Sequence, residues 1–152
     1  MKILEVLQKD TINTDLRSTD KAGVIEELVA SVSGLTGKDS KELIDVIKER
    51  EYLGSTGIGG GIGIPHGKLK NLESLILGLG LSRKGVDFES IDGRPTHLFF
   101  LILTPENSTG LHLKLLARIS RILKNDSFKN KLLKAADSNE VYSIIKEVDE
   151  DF

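Results

Sequence analysis

The sequence predicts an α/β fold: a single domain over residues 1–152, an α/β/α sandwich in which helices flank a mixed β-sheet. Three observations predict it. Apolar residues recur at helical spacing in several separate segments. Leu75, Leu77, Leu79 and Leu81 alternate with Ile76, Gly78, Gly80 and Ser82, the two-residue period of a strand with one large-residue face. His97 to Leu103 is a continuous apolar run, as in a central strand buried on both faces. Helices before, between and after such strands build a layered domain, and 152 residues suffice to bury its core.

In chain order, Ile3 to Leu16 suits a short helix followed by an edge strand. Ser18-Thr19-Asp20 supplies helix-start chemistry, and Val24, Ile25, Leu28, Val29 and Val32 form an apolar stripe that runs until Gly34. Asp39 with Glu42 resembles a capping box, opening a helix through Leu43, Ile44, Val46 and Ile47 that ends near Leu53-Gly54. The strand of Leu75 to Leu81 comes next, and glycine on its second face implies close packing there. Val86 and Phe88 suit a short strand or extended loop. After the apolar run, Thr104 to Gly110 reads as a loop. His112, Leu115, Leu116, Ile119 and Leu123 share a helix face. Asp126-Ser127 is expected to cap a short helix through Leu133, and Ser138 a last one with Val141, Ile144, Ile145 and Val148 in register. The acidic tail from Glu147 to Asp151 is expected to fray.

Composition narrows the function. A net charge of -2 supplies no basic field, which argues against nucleic acid as a partner. An aromatic fraction of 5% without tryptophan argues against a stacking platform. There is no cysteine, so disulfides, thiolate zinc sites and a cysteine nucleophile are excluded within these residues. No signal-peptide core stands at the N-terminus, and the longest apolar run falls far short of the ~18 residues of a membrane span. The expectation is a cytoplasmic protein with no direct membrane insertion.

Seven of the fifteen residues from Gly54 to Lys68 are glycine. Such density costs backbone entropy and implies either close approach of backbone to a charged ligand or an elaborate turn. Nucleotide loops fail position by position. A Walker A motif ending at Gly67-Lys68 needs glycine where Ile62 stands and a hydroxyl residue where Leu69 stands. A Rossmann fingerprint counted from Gly57, Gly59 or Gly61 lands its last glycine on Ile62, Ile64 or His66. What remains is His66. Pro65 holds the preceding backbone extended and Gly67 permits a sharp departure, so the imidazole is presented with little bulk around it. Neutral imidazole is a nucleophile near pH 7, able to take and release a phosphoryl group.

Phosphoryl transfer needs positive charge and donors around the group. The candidates are Arg50, His112, the hydroxyls of Ser55 and Thr56, and the backbone N–H groups of the glycine run with Gly67. Each has a plainer reading: Arg50 neutralises a helix C-terminus, His112 is a core residue, and Ser55 and Thr56 bond their own turn. No carboxylate cluster with Mg²⁺ spacing accompanies the stretch, so no metal and no cofactor is expected.

The run Glu49-Arg50-Glu51 … Leu53-Gly54-Ser55-Thr56-Gly57-Ile58-Gly59 … Ile62-Gly63-Ile64-Pro65-His66-Gly67-Lys68 resembles the enzyme IIA domain of the fructose/mannitol class (type 2), including its nitrogen-regulatory branch. Ile91-Asp92-Gly93-Arg94-Pro95, Leu103-Thr104-Pro105 and the helix of His112 extend the resemblance over the whole chain. It implies a phosphotransferase of the bacterial phosphoenolpyruvate-dependent sugar phosphotransferase system. His66 would be phosphorylated by the histidine phosphocarrier protein HPr, with Arg50 and His112 beside it, and would pass the group to an enzyme IIB partner. In the nitrogen-type branch the phosphorylation state instead governs binding to regulatory targets. The chain departs from the family at Gly60, where Asn or Glu is usual, and at Gly63, where Ala is usual.

Overall fold

The computed structural model describes residues 2–150, excluding the side chains of Thr109, Leu111 and Glu150. A single 3-10 turn at Ile3–Glu5 leads into β1 (Leu7–Asn13). Two helices follow, α1 (Lys21–Thr36) and α2 (Ser40–Tyr52). Asp20 caps α1 by accepting from the Gly23 N–H, and Gly37 closes it in the left-handed conformation at φ 66°. Asp39 caps α2, but through the Lys41 N–H, and Glu42 pairs with Lys38 instead of completing a capping box.

The glycine-rich stretch contains three short strands that the sequence did not disclose: β2 (Gly57–Gly59), β3 (Ile62–Gly63) and β4 (His66–Leu69). Two long strands follow, β5 (Ile76–Val86) and β6 (Thr96–Pro105). β5 runs past its expected end because Gly85, at φ 91°, lets the ladder resume at Val86 after a register shift. The last helices are α3 (Thr109–Ile122), α4 (Asp126–Leu133) and α5 (Ser138–Glu150). Their caps lie one residue earlier than expected: Asn125 accepts from Phe128 N–H, and Asp137 accepts from Glu140 N–H.

The sheet is mixed, in the order β1-β5-β6-β3-β2. β1 is an edge strand parallel to β5, and β5 is antiparallel to β6. β3 and β4 both pair in parallel with β6, one after the other along the same edge: Ile62 opposite Leu98, then His66 opposite Ile102. Ile64 and Pro65 separate them. Proline has no N–H for the ladder, yet its carbonyl still accepts from Ile102 N–H at 3.0 Å.

Both faces of the sheet are buried, as the apolar run predicts. Leu77, Leu79, Leu98, Phe100 and Ile102 pack with Leu115, Ile119, Leu132 and Val141 of the C-terminal helices. Phe99, Leu101 and Leu103 pack on the other face with Val24, Ile25, Leu28, Leu43 and Ile47 of α1 and α2. Each such side chain contributes roughly 1.5–3 kcal/mol of transfer free energy. α1 approaches β5 so closely that a Cβ on Gly80 would lie 2.7 Å from both Leu16 Cδ1 and Leu28 Cδ2.

The C-terminal segment corrects an expectation. Asp149 does not fray; it is 1% exposed and accepts from the N–H groups of Ile3 and Leu4, each at 3.0 Å. Arg118 pairs with the same carboxylate at 3.0 Å. Acidic composition concealed a buried, fully partnered carboxylate; Asp151 lies outside the described residues.

Candidate functional site

His66 opens β4 with its backbone held on both sides. Ile64 N–H donates to the Thr56 carbonyl at 3.0 Å, and the ladder with β6 begins at His66 itself. The ring turns back on its own chain: Nδ1 lies 2.8 Å from the Ile64 carbonyl oxygen. A carbonyl can only accept, so Nδ1 carries the proton and the lone pair of the neutral ring resides on Nε2.

His112 sits in the first turn of α3, its ring 4.9 Å from that of His66 between centroids and inclined at 71°. It is 6% exposed, and its Nδ1 is buried without a partner among the described residues. A buried polar atom in that condition is uncommon in folded proteins and marks the residue as a candidate for function. Arg50, in the last turn of α2, donates from Nη1 to the Gly54 carbonyl at 2.8 Å. His66, His112 and Arg50 line one cleft of about 600 Å³, together with Val46, Glu49, Leu53, Gly67, Lys68 and Leu113.

The surroundings favour the neutral form of both rings. Burial pushes the His66 pKa below the ordinary imidazole range, and Arg50 and Lys68 push the same way, opposed by the Ile64 carbonyl and Glu51. Burial, then His66 and Lys68, lowers that of His112. The cleft therefore places two imidazoles, whose neutral forms are favoured, beside Arg50 and Lys68, with Glu49 also in the lining.

The other candidates are placed differently. Gly67 lines the cleft, and its lack of a side chain is required there: a Cβ would lie 2.6 Å from Val46 Cγ1. Ser55 and Thr56 are not among the lining residues. Ser55 Oγ donates to the Phe88 carbonyl at 2.7 Å and accepts from Gly57 N–H, while the Thr56 hydroxyl donates to Glu51. The glycines of the β2–β3 turn serve backbone geometry, with Gly59, Gly60 and Gly61 at φ 92°, 65° and 80°. Gly60 N–H donates to Asp92 at 3.0 Å. A side chain at Gly63 would crowd Phe99 at 3.2 Å, so alanine there needs a small shift of the ring. His97 is structural, with Nδ1 2.8 Å from the Ser82 carbonyl. Among the described residues no group of three or more His, Cys, Asp or Glu is placed to hold a metal, and no helix is long and apolar enough to cross a membrane.

Sequence reasoning missed Glu51. Its signal was available: Leu43, Ile47 and Glu51 are spaced four apart and all buried on one face of α2, so a carboxylate stands where the stripe calls for an apolar residue.

A three-layer α/β domain in which two histidine rings meet at an open cleft beside Arg50, Lys68 and Glu49 defines the class. The chain belongs to the family described as phosphoenolpyruvate-dependent sugar phosphotransferase system, EIIA 2, which matches residues 5–148. Its members are phosphotransfer components. The chain is 37% identical over 145 residues to a nitrogen regulatory protein of Bradyrhizobium diazoefficiens, covering 95% of each. It is 39% identical to the fructose-specific EIIABC component of Bacillus subtilis, covering 98% of this chain but 24% of that much longer one. The crystal structure of nitrogen regulatory protein IIA-Ntr from Neisseria meningitidis superimposes with a TM-score of 0.88 at 30% identity, over 93% of this chain and 97% of that one. The mannitol IIA of Escherichia coli, solved in complex with phosphorylated enzyme IIB, shares the fold at a TM-score of 0.79 and 19% identity, over 93% and 97% of the two chains.

Proposed function

We propose that this chain is a phosphocarrier of the sugar phosphotransferase system. It accepts a phosphoryl group on Nε2 of His66 from a phosphohistidine of HPr and yields it to an enzyme IIB partner during fructose-type uptake, in the cytoplasm. The observation that carries this reading is the Nδ1–H bond to Ile64, which directs the Nε2 lone pair away from the backbone.

In the accepting step, Nε2 attacks phosphorus in line with the donor nitrogen. The Nε2–P bond forms as the donor's N–P bond breaks, and that electron pair returns to the donor ring. His66 keeps its Nδ1 proton and becomes a cationic phosphoimidazole, whose N–H the Ile64 carbonyl stabilises. Arg50, His112 and the Gly67 backbone hold the transferring oxygens. In the second step a cysteine or histidine of IIB attacks phosphorus, and the pair of the breaking bond returns to Nε2. The mannitol IIA complex with its phosphorylated IIB supports the choice of acceptor.

A second reading is favoured by the end-to-end match to the nitrogen regulatory protein of Bradyrhizobium diazoefficiens. In it the phosphorylation state of His66 controls binding to transporters, kinases or regulators. The two share one chemistry and differ in the acceptor.

Incubation with phosphoenolpyruvate, enzyme I and HPr, followed by intact mass, tests the carrier. One acid-labile phosphoryl group is expected, absent in His66→Ala. Full labelling of that variant overturns the assignment. Rapid discharge to a fructose-type IIB selects uptake; retention of the group in its presence selects regulation.

A further inference from the structure

Glu51 follows Arg50 on α2 and reaches the opposite side of the same turn. Arg50 holds the Gly54 carbonyl, whereas Glu51 takes Thr56 by two bonds. Its Oε2 accepts from Thr56 N–H at 3.1 Å and its Oε1 from the Thr56 hydroxyl. Lys21, at the start of α1, completes the carboxylate's partners at 2.8 Å from Oε2. The Glu51 side chain is 3% exposed and that of Lys21 18%, with the Lys21 ammonium 5.0 Å from the centre of the Phe88 ring. Glu51, Thr56, Lys21 and Phe88, unlike Arg50, do not line the cleft of His66.

The connection to the nucleophile is through the backbone. The Thr56 carbonyl accepts from Ile64 N–H at 3.0 Å, and the Ile64 carbonyl accepts from His66 Nδ1–H at 2.8 Å. Each link from Lys21 to the imidazole is a hydrogen bond or an ion pair of ordinary length or shorter. A buried carboxylate is costly unless it is paired and hydrogen-bonded, and here its partners fix a segment that carries the tautomer-setting acceptor.

Resting on the phosphocarrier reading, we propose that Glu51 is a positioning residue for phosphoryl transfer: clamped by Lys21, it fixes Thr56 and through it the Ile64 carbonyl that holds His66 with Nε2 facing the cleft. The ion pair thus does more than join α1 to α2. Releasing Thr56 lets the 62–66 segment shift, the Nδ1–H bond lengthen, and the second tautomer, with its proton on Nε2, become populated. That tautomer has its lone pair on Nδ1, turned to the Ile64 carbonyl, and none on Nε2 for phosphorus. Misplacement of a reacting atom by a fraction of an ångström is enough to slow the step.

The test compares wild type with Glu51→Gln, Thr56→Val and Thr56→Ser by two readouts. The first is the ¹⁵N spectrum of the His66 ring, which reports the tautomer ratio without any phosphoryl donor. The second is the rate of labelling by phosphorylated HPr, resolved into kcat and KM. Glu51→Gln is expected to show mixed tautomers and kcat lowered about tenfold with KM for HPr unchanged. Thr56→Val should lower kcat about threefold, and Thr56→Ser, which restores the hydroxyl, should recover it. A single Nδ1–H tautomer and unchanged kcat in folded Glu51→Gln, whatever its melting temperature, overturn the proposal. Should Glu51→Gln fail to fold, Thr56→Val decides by the same readouts. If wild type is not labelled, the phosphocarrier reading fails by itself, and the tautomer comparison still judges Glu51.

Discussion

At the scale of single residues, the site depends on charge states. Burial, Arg50 and Lys68 lower the His66 pKa, while the Ile64 carbonyl and Glu51 limit the shift. Nε2 therefore keeps its lone pair as pH falls through the ordinary imidazole value of ~6.5. Labelling by phosphorylated HPr is expected to hold level down to that pH and to decline only below it. A His66 NMR titration with a midpoint at or above ~6.5 contradicts this. The linkage has a definite sign. A folded-state pKa below the unfolded one means that the unfolded chain binds protons first, so the two histidines weaken the fold as pH drops from ~6.5 through their lowered values. His112→Ala should slow labelling roughly 100-fold, the loss of one donor to the transferring group, and Arg50→Ala should act in the same direction. Both are read from single-turnover rates at saturating donor.

At the scale of elements, β4 and α2 meet where Gly67 faces Val46. A Cβ there would stand 2.6 Å from the stiff Val46 Cγ1, so one element must move. Gly67→Ala is expected to destabilise by roughly 1–3 kcal/mol in urea unfolding, and Val46→Ala in the same chain should recover much of it. Equal losses in both backgrounds would separate the two residues. This contact shows why part of the chain was legible in sequence and part was not. α1 and α2 announce themselves through Asp20, Asp39 and repeated apolar positions, all local signals. β2, β3 and β4 are two to four residues long and glycine-rich, too short to show a period. They exist because β6 offers an edge, which is a tertiary fact. Ser55 and Thr56 looked like phosphate ligands because hydroxyls beside a glycine run are short of partners in sequence. Phe88 and Glu51 supply those partners in space.

For the whole molecule, Asp149 joins the two ends of the chain. It receives Ile3 and Leu4 N–H and the Arg118 guanidinium, binding α5, α3 and the N-terminal turn. Asp149→Ala removes a buried carboxylate and leaves the Ile3 and Leu4 N–H groups without their acceptor, and a loss of about 3–5 kcal/mol in chemical denaturation is expected. A change below 1 kcal/mol would assign the packing of α5 to its apolar face alone. The sequence by itself determined the layered class and the order of helices and long strands, and it marked His66 as the candidate for the proposed chemistry. Those follow from periodicity, and from the rarity of a histidine between proline and glycine after a glycine run. Only the tertiary structure decided which candidates share the cleft, which nitrogen of His66 is free, and that Glu51 lies behind the site. These depend on distances between segments far apart in the chain, and on carbonyls whose direction no local pattern records.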